Sequence, residues 1–132
     1  MSFESALRAR LIAAPRIREL VDDRVHWKVR PQRGALPALV LIMIYDPRPQ
    51  HLDGFQSLRP TRVQVDCYGR TYDEARELRE AVIPILAAKA VEGDTRFDVG
   101  FINGGGDRLD EIAGDVAHVH FIDATIWQGQ ME

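Results

Sequence analysis

The chain has 132 residues, 17 basic and 20 acidic side chains for a net charge of −3, 45% hydrophobic residues and a single cysteine. That length suits one domain burying roughly 70% of the surface its unfolded chain exposes. No apolar run nears the ~20 residues of a membrane helix, and one cysteine excludes an internal disulfide and makes a reducing compartment the default.

The charge is unevenly placed. Met1–Arg62 holds 11 basic against 6 acidic side chains, and Val63–Glu132 holds 6 against 14, so the halves carry +5 and −8. Either the halves neutralise each other inside one fold, or they form opposite patches that favour head-to-tail contacts between copies. All basic residues except Lys28 and Lys89 are arginines, whose planar fork suits ion pairs at interfaces.

Phe3, Leu7 and Leu11, with Ala6 and Ala14, form one stripe of a first helix, an amphipathic start rather than a secretory signal. Ser2 can cap it, and Pro15 ends it and opens a further turn or two through Ile17, Leu20 and Val21. Asp22–Asp23 turn the chain, and Val25, Trp27 and Val29 alternate as a short strand. Arg30–Ala35 reads as a basic loop. Leu36–Tyr45, LPALVLIMIY, is apolar on both faces, as expected of a central strand covered on both sides or of one face of a subunit contact, with Pro37 confined to its start or an edge.

Asp46–Pro60 carries three prolines and a glycine without periodicity. A connection this long between two strands reads as an extended hairpin arm that orders on a partner, or as a loop of no consequence. Thr61–Tyr68 alternates, with Val63, Val65 and Cys67 on one face and Arg62, Gln64, Asp66 and Tyr68 on the other. After Gly69–Arg70, Thr71 and Glu74 form a T-x-x-E capping box. Ala75, Leu78, Val82, Ile85 and Leu86 then make a helical stripe that Pro84 should kink or restart, and pairs such as Arg76 with Glu80 account for its charged face. Glu92–Asp94 is a turn, Phe97–Phe101 a strand, Asn103–Asp107 a flexible glycine turn and Asp107–Asp115 an acidic segment. The last strand, Val116–Trp127, carries Val119 and Phe121 on one face and Ile122, Ala124 and Ile126 on the other, which implies a bulge or a strand covered on both sides. The order predicts an α+β fold over 1–132: a mainly antiparallel sheet with an N-terminal helix and a central helix packed on it.

No catalytic constellation stands out. The triple glycine lacks a following G-K-[ST] and is followed by acids that would repel phosphate. His118-x-His120 places two imidazoles on one strand face without further ligands nearby in sequence, and reads as a pair of exposed histidines. Asp107, Asp110, Glu111 and Asp115 lack the spacing of a calcium loop. Cys67 reads as a buried, inert thiol. The sequence thus calls for no cofactor and no metal. The excess of acid argues against a continuous nucleic-acid groove, although Arg30, Arg33, Arg48 and Arg59 could form a local basic rim around the two loops.

Several stretches resemble the tail completion family of long-tailed phages, also called tail-to-head joining or tail terminator proteins. They are IRELVDDR at Ile17–Arg24 with Val25–Trp27, LPALVLIMI at Leu36–Ile44, LDGFQSLRPTRVQVDCYGRTYDEARELREAV at Leu52–Val82, and the closing apolar strand near Trp127. The resemblance implies a structural virion protein, not an enzyme, found in phages, prophages and gene transfer agents. It would assemble in the host cytoplasm as a homo-oligomeric, hexameric ring at the head-proximal end of the tail. There it would contact the tail tube protein and the head-tail connector or stopper, with no membrane and no sequence-specific nucleic acid. The residues expected to meet partners are Arg30 and Arg33 in the first loop, and Arg48, His51, Asp53, Phe55 and Arg59 in the second. The alternative is a small nucleic-acid-binding or hydrolytic accessory protein of a mobile element, in which alanine at His118, His120 or Asp66 would abolish an activity.

Overall fold

The computed structural model describes residues 1–31, 34–55, 57–112 and 114–131, with backbone alone for Phe55 and Ile112. Helix α1 (Phe3–Ala13) starts where the Ser2 hydroxyl accepts the Ser5 amide at 3.1 Å. Pro15 opens α2 (Pro15–Val21), its missing amide costing nothing at a first helical position. Strand β1 (Val25–Trp27) runs parallel to β2 (Ala38–Tyr45). Pro37 stands just outside β2, where it removes no ladder bond. Two short strands, β3 (Gln50–His51) and β4 (Gly54–Phe55), pair inside the long connection. Then follow β5 (Arg59–Gly69), α3 (Tyr72–Ala87), β6 (Ala90–Glu92), β7 (Thr95–Ile112) and β8 (Asp115–Gln130).

The main sheet has the order β1-β2-β5-β8-β7-β6, antiparallel everywhere except between β1 and β2. The architecture is the expected α+β one, with the helices on one face. Leu39 and Leu41 of β2, Val63, Val65 and Cys67 of β5, and Ile122, Ala124 and Ile126 of β8 are buried against Leu7 and Leu11 of α1 and Leu78, Val82 and Leu86 of α3. Burying each of these aliphatic side chains is worth about 1.5–3 kcal/mol. Thr71 caps α3 as the capping box requires, its hydroxyl accepting the Glu74 amide at 3.1 Å, while the Glu74 carboxylate accepts the Arg70 amide at 3.0 Å. The opposite face carries a smaller cluster of Val40, Tyr68, Ala117 and Val119, with Leu36 and Ile42 against it. The apolar run of β2 is therefore buried on both sides over Ala38–Leu41 and becomes exposed at Ile44 and Tyr45.

Several expectations fail, each for a tertiary reason. Asn103–Asp107 is not a turn but the middle of the 18-residue β7. At Gly105 and Gly106 the strand requires glycine because β8 leaves no space above them. A Cβ on Gly106 would lie 2.8 Å from the Phe121 ring, and one on Gly105 would lie 2.3 Å from the Phe121 carbonyl oxygen. Of the acidic segment, Asp107–Ile112 is likewise strand, reaching the end of the β7–β8 hairpin at the Ile112–Asp115 pair. No bulge interrupts β8 against β5, so of the two expectations for β8 the strand covered on both sides holds, with Ile122, Ala124 and Ile126 in the main core and Ala117 and Val119 in the smaller cluster; the register shifts lie in β7, between Phe97 and Gly100 and between Ile102 and Gly104. Helix α3 runs through the exposed Pro84 without restarting. Arg76 pairs with Asp73 at 3.6 Å rather than with Glu80, which is taken by Arg79 at 2.8 Å.

Candidate functional site

The long connection between β2 and β5 folds into an arm with a built root. Asp46 sits where β2 ends, and its carboxylate accepts from Arg48 at 2.7 Å, Arg59 at 2.8 Å and the Thr61 hydroxyl at 3.1 Å. Burial alone would raise the Asp46 carboxyl, but the bonds from Arg59 and Thr61 and the charges of Arg59 and Arg48 hold it below the usual carboxylate range. Beyond this clamp, Gln50–His51 pairs with Gly54–Phe55 across Leu52 and Asp53. His51, Leu52 and Asp53 are all exposed, Leu52 fully. Of the residues expected to meet partners, Arg48 and Arg59 thus converge on Asp46 at the root, while His51 and Asp53 stand at the tip. Arg33 and the Phe55 side chain lie outside the described residues.

Arg30 is elsewhere. Its guanidinium stacks over the Tyr68 ring at 5.1 Å, so Arg30 and Arg59 sit at opposite ends of the 11-residue β5. Among the described residues Arg30 does not join Arg48 and Arg59 in a basic rim, because the two loops leave the sheet at different ends and Asp46 pairs with both of the arm's arginines. Around Tyr68 is a network that sequence reasoning missed. Asp66 is 1% exposed and accepts from Arg108 at 2.8 Å and Gln64 at 2.9 Å. Arg108 also donates to Asp110 at 3.0 Å, and the Tyr68 hydroxyl donates to Asp110 at 2.8 Å. Arg108 and Asp110 are two apart on one strand and so share a face. That spacing is the available signal, hidden where Asp107–Asp115 reads only as an acidic segment. The network braces the β7–β8 hairpin on β5 and offers no reactive group.

On the helix face, a cleft of about 360 Å3 lies between α3 and β7, lined by Tyr72, Arg79, Ile83, Ile102, the three glycines Gly104–Gly106, Asp107 and His120. His118 and His120 do share this face, but His120 is 1% exposed, not a surface histidine. Arg79 can only donate, so its 3.0 Å contact makes the His120 Nδ1 the acceptor and leaves the proton on Nε2, which is buried without a partner among the described residues. Cys67 is the ladder partner of His120. It is no nucleophile, because burial pushes its thiol far up and the base position of His120 is occupied by Arg79. Among the described residues no three metal-ligating side chains lie together.

Burial, then the charge of Arg79, lowers the His120 pKa, and burial, then Arg8, lowers that of His26. Both imidazoles are therefore neutral in the folded chain where the unfolded chain begins to protonate. Stability should be full above the ordinary value of ~6.5 and fall as the pH drops below it. Urea midpoints at pH 7.5 and 5.0 test this, and His120→Gln should flatten the difference. A second loss is expected below about pH 4, where Asp46, Asp110 and Asp123, all held low by arginine partners, take up protons.

The chain superimposes on a chain of the structure described as "Virion of native gene transfer agent (GTA) particle" with a TM-score of 0.70 and 18% identity, covering 97% of this chain and 96% of that one. At that identity the likeness establishes the fold. No protein with a curated description matches the chain in sequence. Residues 5–122 match the family model of the tail completion protein gp17, which spans both helical regions and all but the end of the sheet. The chain therefore belongs to the tail completion protein gp17 family, and is a structural protein of a phage-type virion tail.

Proposed function

We propose that this protein closes into a ring of six copies at the head-proximal end of the tail, ends growth of the tail tube and joins the tail to the head connector. The observation that carries the reading is the arm. A hairpin clamped at its root by Arg48, Arg59 and Thr61 on Asp46 presents Leu52 fully to solvent. For a tube or connector protein, Leu52 on this hairpin is an anchor whose root is already ordered, so that docking it costs little further ordering. On this reading Arg48, His51, Asp53, Phe55 and Arg59 belong to the arm's contact. Arg30 and Arg33 belong to a second contact at the other end of the sheet. Function is then geometric: repeated self-contacts set the ring, and projecting segments seat the tube on one side and the connector on the other.

Light scattering with negative-stain images of the same peak should give a six-fold ring, in solution or on tail tubes. Deleting His51–Ser57 removes the tip and leaves the Asp46 clamp, so the chain should fold with an unchanged thermal midpoint and still form the ring. Tubes assembled with the shortened protein should overgrow and fail to take heads. Normal capping by the shortened protein would remove the arm from the function.

A further inference from the structure

The strand order gives the charge split a geometry. It puts β1 and β2, from the +5 half, at one edge of the sheet, and β7 and β6, from the −8 half, at the other. Each edge is covered only briefly. β1 pairs with Leu39–Leu41 of β2, and β6 pairs with Thr95–Phe97 of β7. Beyond those pairs no strand among the described residues lies outside Ile42–Tyr45 or outside the length of β7 that follows. From Gly104 to Ile112 the β7–β8 register is unbroken and the stretch contains no proline; its exposed charges, Asp107 and Glu111, are both acidic and so guard the edge against a like edge but not against a basic one.

Both edges expose large apolar side chains. Phe101 and Leu109 are 55% and 63% exposed on β7, and Val29 and Tyr45 are 69% and 63% exposed at the opposite edge. Their charges are complementary. On the β7–β8 hairpin, Asp107, Glu111 and Asp115 are exposed and make no ion pair among the described residues. At the β1 edge, Lys28 is exposed and makes no ion pair among the described residues, and Arg8 and Arg24 spend their hydrogen bonds on carbonyl oxygens of Val25, Asp23, Pro37 and Leu20. Asp22 is taken by Arg18, so Asp23 is the acidic exception there.

We propose that the outer edge of β7, from Gly104 to Glu111, is the acidic half of a head-to-tail contact with a second copy of this chain. The basic half is the β1–β2 edge of that copy, around Lys28, Val29, Ile44 and Tyr45. Like edges repel, acid facing acid, so the contact is between unlike edges. Such a contact leaves both ends open and propagates until it closes, as a ring does. Gly104 and Gly105 bring no side chains to the middle of the edge, so a second backbone can approach it closely. This inference rests on the ring reading and names its seam.

Charge exchange tests it. Lys28→Glu alone and Asp107→Lys with Glu111→Lys together should each weaken self-association at least about tenfold, seen as loss of ring mass in light scattering. An equimolar mixture of the two should restore the ring, since the reversed edges again oppose unlike charges. Circular dichroism and thermal midpoints show whether each variant is folded, and Leu109→Ser, which changes no charge, should weaken the ring as well. If the wild-type ring survives in all three variants, or if the mixture stays dissociated, the seam is elsewhere and the ring reading stands. A wild-type chain that is monomeric in solution and absent as a ring from tail tubes overturns the ring reading and this seam with it.

Discussion

Gly100→Val is expected to cost about 3 kcal/mol or more, enough to lower the thermal midpoint by roughly 10 °C in a domain of this size. Gly100 is buried on the helix face of β7, where the last turn of α3 crosses it. A Cβ there would sit 1.9 Å from the Leu86 carbonyl oxygen and 3.5 Å from the Ala87 Cα. Both are backbone atoms of a helix whose Leu86 side chain is itself fully buried, so no side chain can swing aside. The helix end or the strand must move, and either movement opens the core that Leu78, Val82 and Leu86 close. Even Gly100→Ala should be clearly destabilising. Val91→Ala, at an exposed position on β6, should stay within about 0.5 kcal/mol. Urea unfolding of the three proteins checks this, and a Gly100→Ala midpoint equal to wild type would mean that α3 does not approach β7 as closely as described.

Arg108→Ala is the second large expected loss, about 2–3 kcal/mol. Asp66 keeps only the Gln64 amide when Arg108 is removed, and its side chain is 2% exposed. A buried carboxylate that loses its cation carries most of its desolvation penalty unanswered, at about 3–5 kcal/mol. The lower figure follows because Arg108 itself is 35% exposed and water can partly replace it. Arg108 also fixes Asp110, which holds the Tyr68 hydroxyl, so the hairpin brace loosens as a unit. Arg108→Lys should fall between, since a single ammonium cannot reach Asp66 and Asp110 with the geometry of the fork. Removing both partners with Asp66→Leu and Arg108→Met should cost less than Arg108→Ala alone. A double-mutant cycle on thermal midpoints measures this, and simple additivity would show that the pair does not act together.

The brace and the arm place the two projecting parts of the molecule at opposite ends of β5. Tyr68, Asp66 and Arg108 hold the β7–β8 hairpin at one end, and Asp46 with Arg59 holds the arm at the other. On the proposed reading, a ring component that meets the tube on one side and the connector on the other uses that separation, with β5 and β8 beside it as the spacer.

What the sequence determined by itself is what nearest neighbours along the chain decide. The Thr71–Glu74 capping box, the stripe of Ala75, Leu78 and Val82, the Ser2 cap and the alternation of Val63, Val65 and Cys67 all depend on contacts at two to four residues' separation. Each was legible with its burial. The arm at Asp46–Pro60 was legible as a projecting segment for the same reason, although not the Asp46 clamp that roots it. Only the tertiary structure could decide the rest. Gly104–Gly106 looks like a turn by propensity and becomes strand because β8 supplies the ladder and Phe121 the cover. His120 looks exposed by its type and is buried because α3 lays Tyr72 and Arg79 across it. Arg30 and Arg59, both loop arginines in the sequence, part company because β5 separates them. The charge of +5 and −8 could be counted from the sequence; that the halves face opposite ways follows from the strand order, since pairing across the sheet is chosen by the packing of the whole chain and by no local pattern.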